Sequence, residues 1–128
     1  MDVKKNNVVA NDRFADFIGL KLLKYDSGYA LAQLEIEERH LNGVGLAQGG
    51  VLFTLADYAF AAACNADGIP TVGINCSISY IKTAKGKIIT AEAKEVSTQN
   101  RLCQYMVCIY DEDKTLLAQM MCTGYMKR

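Results

Sequence analysis

The sequence predicts an α+β fold in which an antiparallel sheet wraps around one long central helix. Two observations carry this. The first is the fourteen-residue run from Val51 to Cys64, in which only Thr54, Asp57 and the Tyr58 hydroxyl are polar. It is rich in Ala and Leu, contains no Pro and is too long for a typical strand, so it reads as a helix buried on all sides. The second is the alternation of apolar and polar residues on both sides of that run, which has the period of strands.

The elements follow in order within a single domain spanning 1–128, of which residues 1–10 are expected to form a loose tail. Asn11 or Asp12 can cap a short helix through Ile18, with Phe14, Phe17 and Ile18 as its apolar face and Gly19 as its end. Leu20 to Tyr25 and Tyr29 to Glu37 flank Asp26-Ser27-Gly28 and make a hairpin. Ala30, Ala32, Leu34 and Ile36 share the inner face of its second strand. A loop from Glu38 to Ala47 leads into the central helix, which Asn65–Gly68 and Pro70 stop. Four strands follow: Thr71 to Lys82, Ile88 to Val96, Arg101 to Tyr110 and Leu116 to Met126, expected as a meander. One sheet covers the helix on one side only, and the open side needs another layer. The chain is therefore expected to be at least a homodimer.

Composition narrows the function. The formal net charge is zero with no basic block, which argues against a nucleic-acid partner. Met1 to Asn7 is polar and charged, unlike a signal peptide. The most apolar run is shorter than a bilayer span and holds Asp57, so no membrane association is expected. The cysteines are Cys64, Cys76, Cys103, Cys108 and Cys122, an odd number without a Cys-x-x-Cys pair. They read as small buried hydrophobes in a reducing cytoplasm, with no metal. The one histidine, His40, follows Glu37, Glu38 and Arg39 and is expected on the solvated surface.

Asp57 is the residue that breaks the pattern. It lies about two turns inside the helix, too deep to be a cap. It is either a structural acid or a functional one, since buried carboxylates are costly without compensation. Gly49 and Gly50 stand where backbone N–H groups lack intrahelical partners and where the dipole favours negative charge. They can serve a tight turn, or they can admit a ligand. Taken with Asp57, they suggest an oxyanion hole and a general base or nucleophile. Eight positions of helix separate Gly49 from Asp57, roughly 12 Å. One carbonyl cannot meet both on one helix, but it can across two antiparallel helices related by a twofold axis.

The run Gly49-Gly50-Val51-Leu52-Phe53-Thr54-Leu55-Ala56-Asp57, then Ala59-Phe60-Ala61 and Cys64-Asn65, resembles the hotdog-fold acyl-CoA thioesterases of the phenylacetate-pathway (PaaI-like) type. The likeness continues through Cys76-Ser77-Ile78-Ser79-Tyr80-Ile81-Lys82 and Ala84-Lys85-Gly86, and covers about residues 12 to 126. It implies a sheet wrapped around a long helix, paired dimers and often tetramers. It implies hydrolysis of an acyl-CoA thioester at the dimer interface, with no cofactor beyond the coenzyme A of the substrate. By this likeness Asp57 attacks or activates water, the Gly49 N–H polarises the carbonyl, and Asn42 helps hold the water or the acid. Tyr80, Lys82, Lys85, Asn100 and Arg101 match positions near the coenzyme A. Gln48 stands where the family usually has His; it can donate to a carbonyl but cannot titrate. Gly73 replaces a hydroxyl residue of some relatives and would leave space for the acyl group. Gly50 belongs with the substrate positions, and Phe53, Tyr58 and Phe60 could line an aryl pocket or the core. Two other functions fit the same fold. One is a non-catalytic acyl-CoA or aromatic-ligand binding protein, for which Gln48 argues. The other is an enoyl-CoA hydratase, which His40 is poorly placed to support.

Overall fold

The structure, a computed structural model, describes residues 3–127; Met1, Asp2 and Arg128 of the expected domain and tail lie outside the described residues. Residues 3–11 do not form a loose tail. They make two 3-10 turns, in which Val9 is buried and the Asn7 Nδ2 donates to the Ala62 carbonyl at 3.0 Å. Helix α1, Arg13–Ile18, is capped by Asp12, whose carboxylate accepts from the Ala15 amide, and ends at Gly19 with φ +89°. Its buried residues are Ala15 and Ile18, while Phe14 and Phe17 are 60% and 73% exposed. The expected apolar face is thus only partly correct: six residues place one narrow stripe inward, and Ile18 alone of the three lies on it.

Strands β1 (Lys21–Asp26) and β2 (Tyr29–Glu35) form the expected hairpin, and helix α2 runs from Gly49 to Cys64. Strands β3 (Thr71–Tyr80), β4 (Ile88–Gln99), β5 (Leu102–Tyr110) and β6 (Leu116–Met126) complete one antiparallel sheet in the order β1-β2-β4-β5-β6-β3. Only β4, β5 and β6 form a meander. The edge of β4 that β3 would need is taken by β2, with Ala30 opposite Ala93, so β3 crosses to the far edge and pairs with β6. Alternation sets which face a residue occupies, not which strand lies beside it.

The inner residues of the strands close on α2. Leu34, Ile89, Val107, Ile109, Leu117 and Met120 are fully buried against Leu55, Tyr58 and Phe60. Phe60 meets Tyr105 edge to face at 5.5 Å and rests over Gly73 and Gly124, which are opposite each other on β3 and β6. The helix is not buried on all sides in the single chain. Gly50 and Asp57 are exposed, and Phe53, Thr54, Ala61 and Cys64 are half-buried, leaving one continuous open stripe. This is the side that a single sheet cannot reach.

Candidate active site

The first turn of α2 opens onto a cleft of about 280 Å³ lined by Asn42, Leu46, Ala47, Gly49, Leu52, Tyr80, Ile81, Lys82, Thr83 and Ala84. The loop before the helix is fixed by backbone and side-chain bonds together. Asn42 Oδ1 accepts from the amides of Val44 and Leu46, both at 3.0 Å, and the Asn42 amide donates to the Leu46 carbonyl. Its Nδ2 makes no hydrogen bond among the described residues, so a donor remains beside the cleft.

His40 anchors the base of this loop and is 1% exposed, contrary to the expected surface position. Its Nδ1 accepts from the Glu37 amide at 2.8 Å, so the ring hydrogen is on Nε2, which donates to the Ile18 carbonyl at 2.7 Å. The charged neighbours on the 3-10 turn Glu38–His40 point outward while the third residue points in. The His40 carbonyl in turn accepts from the Gln48 amide at 2.9 Å.

At the start of α2 the Gln48 carbonyl accepts from Val51 and Leu52. The N–H groups of Gly49 and Gly50 donate to nothing among the described residues. They are the orphan donors of a helix N-terminus. Gln48 is exposed, and its carboxamide oxygen lies 2.6 Å from where a Cβ on Gly50 would be, so Gly50 leaves room for that side chain.

Asp57 is on the open stripe, two turns from Gly49. It is not buried as its helix suggested, yet enough protein surrounds its carboxyl to matter. Partial desolvation, and then the negative charge of Asp12, raise it above the ordinary carboxylate range. A cluster of thiols that sequence reasoning read only as core lies close by. Cys76 and Cys122 are opposite each other on β3 and β6. Burial raises the thiols of Cys64, Cys76 and Cys122, and the charge of Asp57 adds to each.

The remaining candidate residues divide. Phe53 is half-buried on the open stripe, whereas Tyr58 is in the core. At Gly73 the helix-side space is taken by Phe60, whose Cε2 is 3.1 Å from the Cβ position. Tyr80 and Lys82 line the cleft, and the Lys85 amide points to Asp111 at that same end of the sheet. Asn100, with φ +59°, and Arg101, which donates to the Tyr125 hydroxyl, form the β4–β5 turn at the opposite end. The length of β4 puts roughly 35 Å between the two groups. One chain does not bring them together. Among the described residues no group of three or more His, Cys, Asp or Glu could hold a metal ion.

The model of the thioesterase superfamily matches residues 45–118, from the cleft loop through the first residues of β6. The chain belongs to the thioesterase superfamily. Within it the chain is a PaaI-like thioester hydrolase with the hotdog fold. A putative esterase of Archaeoglobus fulgidus is 34% identical over 115 residues, 89% of this chain and 75% of that protein. The acyl-coenzyme A thioesterase PaaI of Escherichia coli K12 is 36% identical over 85 residues, 66% of this chain and 61% of that one. Among solved structures, the Escherichia coli PaaI protein from the phenylacetic acid degradation operon superposes with TM-score 0.88 at 28% identity, covering 93% of this chain and 87% of that one. A mutant of the phenylacetic acid degradation protein PaaI from Thermus thermophilus gives TM-score 0.83 at 34% identity, covering 88% and 96%. Two features of this superfamily member were absent from the sequence reading. Asn65 clamps both backbone groups of Thr71, accepting from its amide at 2.9 Å and donating to its carbonyl at 3.2 Å. The Tyr80 hydroxyl donates to the Gly49 carbonyl at 2.9 Å. Asn at a helix C-cap was a usable signal for the first; a contact between residues so far apart in the chain left none for the second.

Proposed function

We propose that this protein hydrolyses an acyl-CoA thioester to the free acid and coenzyme A. The observation that carries this reading is the pair of amides at Gly49 and Gly50, which have no partner among the described residues and belong to a turn whose Gly49 lines a cleft beside the Asn42 donor. Preorganised N–H groups of this kind stabilise the oxyanion that forms as a thioester carbonyl is attacked. Asp57 is the carboxylate that attacks or draws a proton from water, and partial desolvation, which raises its pKa, makes it a stronger base than an exposed carboxylate. Gln48 donates to the same oxygen. The names of the similar proteins support coenzyme A as the leaving group.

The active unit is a homodimer, or a pair of homodimers, in which the open stripe of α2 meets a second α2 running the other way. That arrangement sets Gly49 of one chain against Asp57 of the other. It also lets Lys82 and Lys85 of one chain and Asn100 and Arg101 of its partner approach one coenzyme A. Phe53, on the stripe, is the residue best exposed to the acyl group. No cofactor takes part, and five free thiols support a reducing, cytoplasmic setting. The hydratase reading is disfavoured because both ring nitrogens of His40 are committed inside the fold.

The test is thiol release from a panel of short, medium and aryl acyl-CoAs, with wild type and Asp57→Asn compared as folded dimers. Asn keeps the shape and removes the charge, so turnover should fall by about 10²-fold or more while substrate still binds. Binding without turnover in the wild type would favour the non-catalytic reading.

A further inference from the structure

At its N-terminus α2 has no side-chain cap: Gln48 makes no capping hydrogen bond, and Gly49 and Gly50 offer no side chain to hold. Yet in this turn Gly49 lines the cleft, and the amides of Gly49 and Gly50 have no partner among the described residues. Within the helix, Thr54 Oγ1 donates to the Gly50 carbonyl at 2.7 Å, and one side chain reaches the turn from outside the helix. Tyr80, the last residue of β3, donates its hydroxyl to the Gly49 carbonyl at 2.9 Å. Its ring also lies against Gly49, where a Cβ would be 3.2 Å from both Cζ and Oη. The other end of the same helix is tied to the other end of the same strand through Asn65 and Thr71. Strand β3 therefore braces α2 at both ends, and at the cleft end the whole brace is one phenol.

We propose that Tyr80 is a positioning residue, which fixes the first turn of α2 so that the Gly49 and Gly50 amides keep a constant direction beside the cleft. This rests on the reading of those amides as oxyanion donors, and it gives Tyr80 a role different from a contact to coenzyme A. The hydroxyl acts through the Gly49 carbonyl, on the far side of the residue from the donating N–H. A phenol tied to the carbonyl and packed against the Cα limits how far the peptide can tilt. Displacements of about 1 Å in such donors can cost 10²-fold in rate.

The experiment is Tyr80→Phe in the full chain, read in two ways. Steady-state kinetics on thioester substrates should show kcat lowered by about tenfold with KM within about twofold, the pattern of an interaction that matters only in the transition state. NMR of the isotope-labelled, substrate-free protein should show a moved Gly49 carbonyl carbon resonance and faster amide exchange at Gly49 and Gly50, with Tm little changed. Gly49→Ala keeps the N–H but pushes the ring away, so it should produce a similar loss, and the double variant should lose less than the product of the two. A rise in KM at constant kcat would overturn the proposal, because it would make Tyr80 a substrate contact. Unaltered Gly49 and Gly50 resonances, or effects of the two variants that simply multiply, would overturn it as well. If the wild type hydrolyses no thioester, the hydrolytic reading fails, and the NMR result alone decides whether Tyr80 holds the turn.

Discussion

The single histidine of the chain, His40, donates from Nε2 to the carbonyl of Ile18 at 2.7 Å, tying the cleft loop to the end of α1. Removing the ring leaves that carbonyl and the Glu37 amide without their partner. His40→Ala should therefore lower the unfolding free energy by about 1–3 kcal/mol for each unmet group that stays buried. Urea denaturation measures this. Turnover per folded protein should keep the shape of its pH profile, because both ring nitrogens are committed to backbone groups inside the fold.

The pH profile should instead report Asp57. A base must be ionised to act, so kcat should fall as pH drops through the raised pKa of this carboxyl. The sign for stability is opposite. With the folded pKa above the unfolded one, the native state holds the proton more strongly, and stability declines as pH rises through that window. Asp57→Asn removes this penalty. It should leave Tm at neutral pH equal or higher while turnover collapses, and scanning calorimetry beside the thiol-release assay checks both. A lower Tm with turnover retained would make Asp57 a structural acid.

Gln48→Ala should lose on the order of tenfold in kcat, the scale of a lost active-site donor, whereas Gln48→His should keep or raise it. Gly50→Ala offers an independent check. Its methyl group would fall on the Gln48 carboxamide, so the variant should fold normally and lose a similar part of the rate. Wild-type kinetics in Gln48→Ala would reduce the residue to a part of the turn.

The cross-dimer site is tested by complementation. Chains carrying Asp57→Asn and chains carrying Gly49→Pro, which lacks the amide, are each expected to be inactive. Mixed dimers hold both lesions in one site and neither in the other, so isolated heterodimers should recover about one working site. The backbone of Gln48, at φ −68° and ψ 137°, is already extended as a residue before Pro requires. Folded heterodimers without recovery would assign donor and acid to the same chain.

Gly124 is hemmed in by Cys103 Sγ at 2.8 Å, Thr71 Cγ2 at 2.9 Å and Phe60 Cζ at 3.2 Å from its Cβ position. Gly124→Ala has no free direction, and overpacking of this kind costs about 1–3 kcal/mol. Chemical denaturation should show that loss with little change in kcat.

The helix, the hairpin and every later strand were legible in the sequence because their periods differ sharply. Gly49 and Asp57 stood out as candidates because each violates the pattern around it. What was not legible depends on distance or on direction. The place of β3 beside β6 follows from β2 having claimed the edge of β4, which no local pattern encodes. The burial of His40 turned on a three-residue turn whose charged members hid the inward one. The exposure of Phe14 and Phe17 follows from the phase of a helix too short to display it. Gly73 looked like open space, and the Phe60 ring, from the preceding helix, filled it.

The placement of β3 also bears on how the molecule is made. Strand β3 has a single strand neighbour, β6, the last of the six to be synthesised. The long helix and the strand that braces it leave the ribosome well before the segment that completes their sheet. Until then the apolar helix has only part of its cover, and β3 has no strand partner on either edge. Such late, long-range closure slows folding and exposes the nascent chain to aggregation. A ribosome stalled before Leu116 should therefore display a protease-sensitive chain, and the native fold should form only after β6 has emerged.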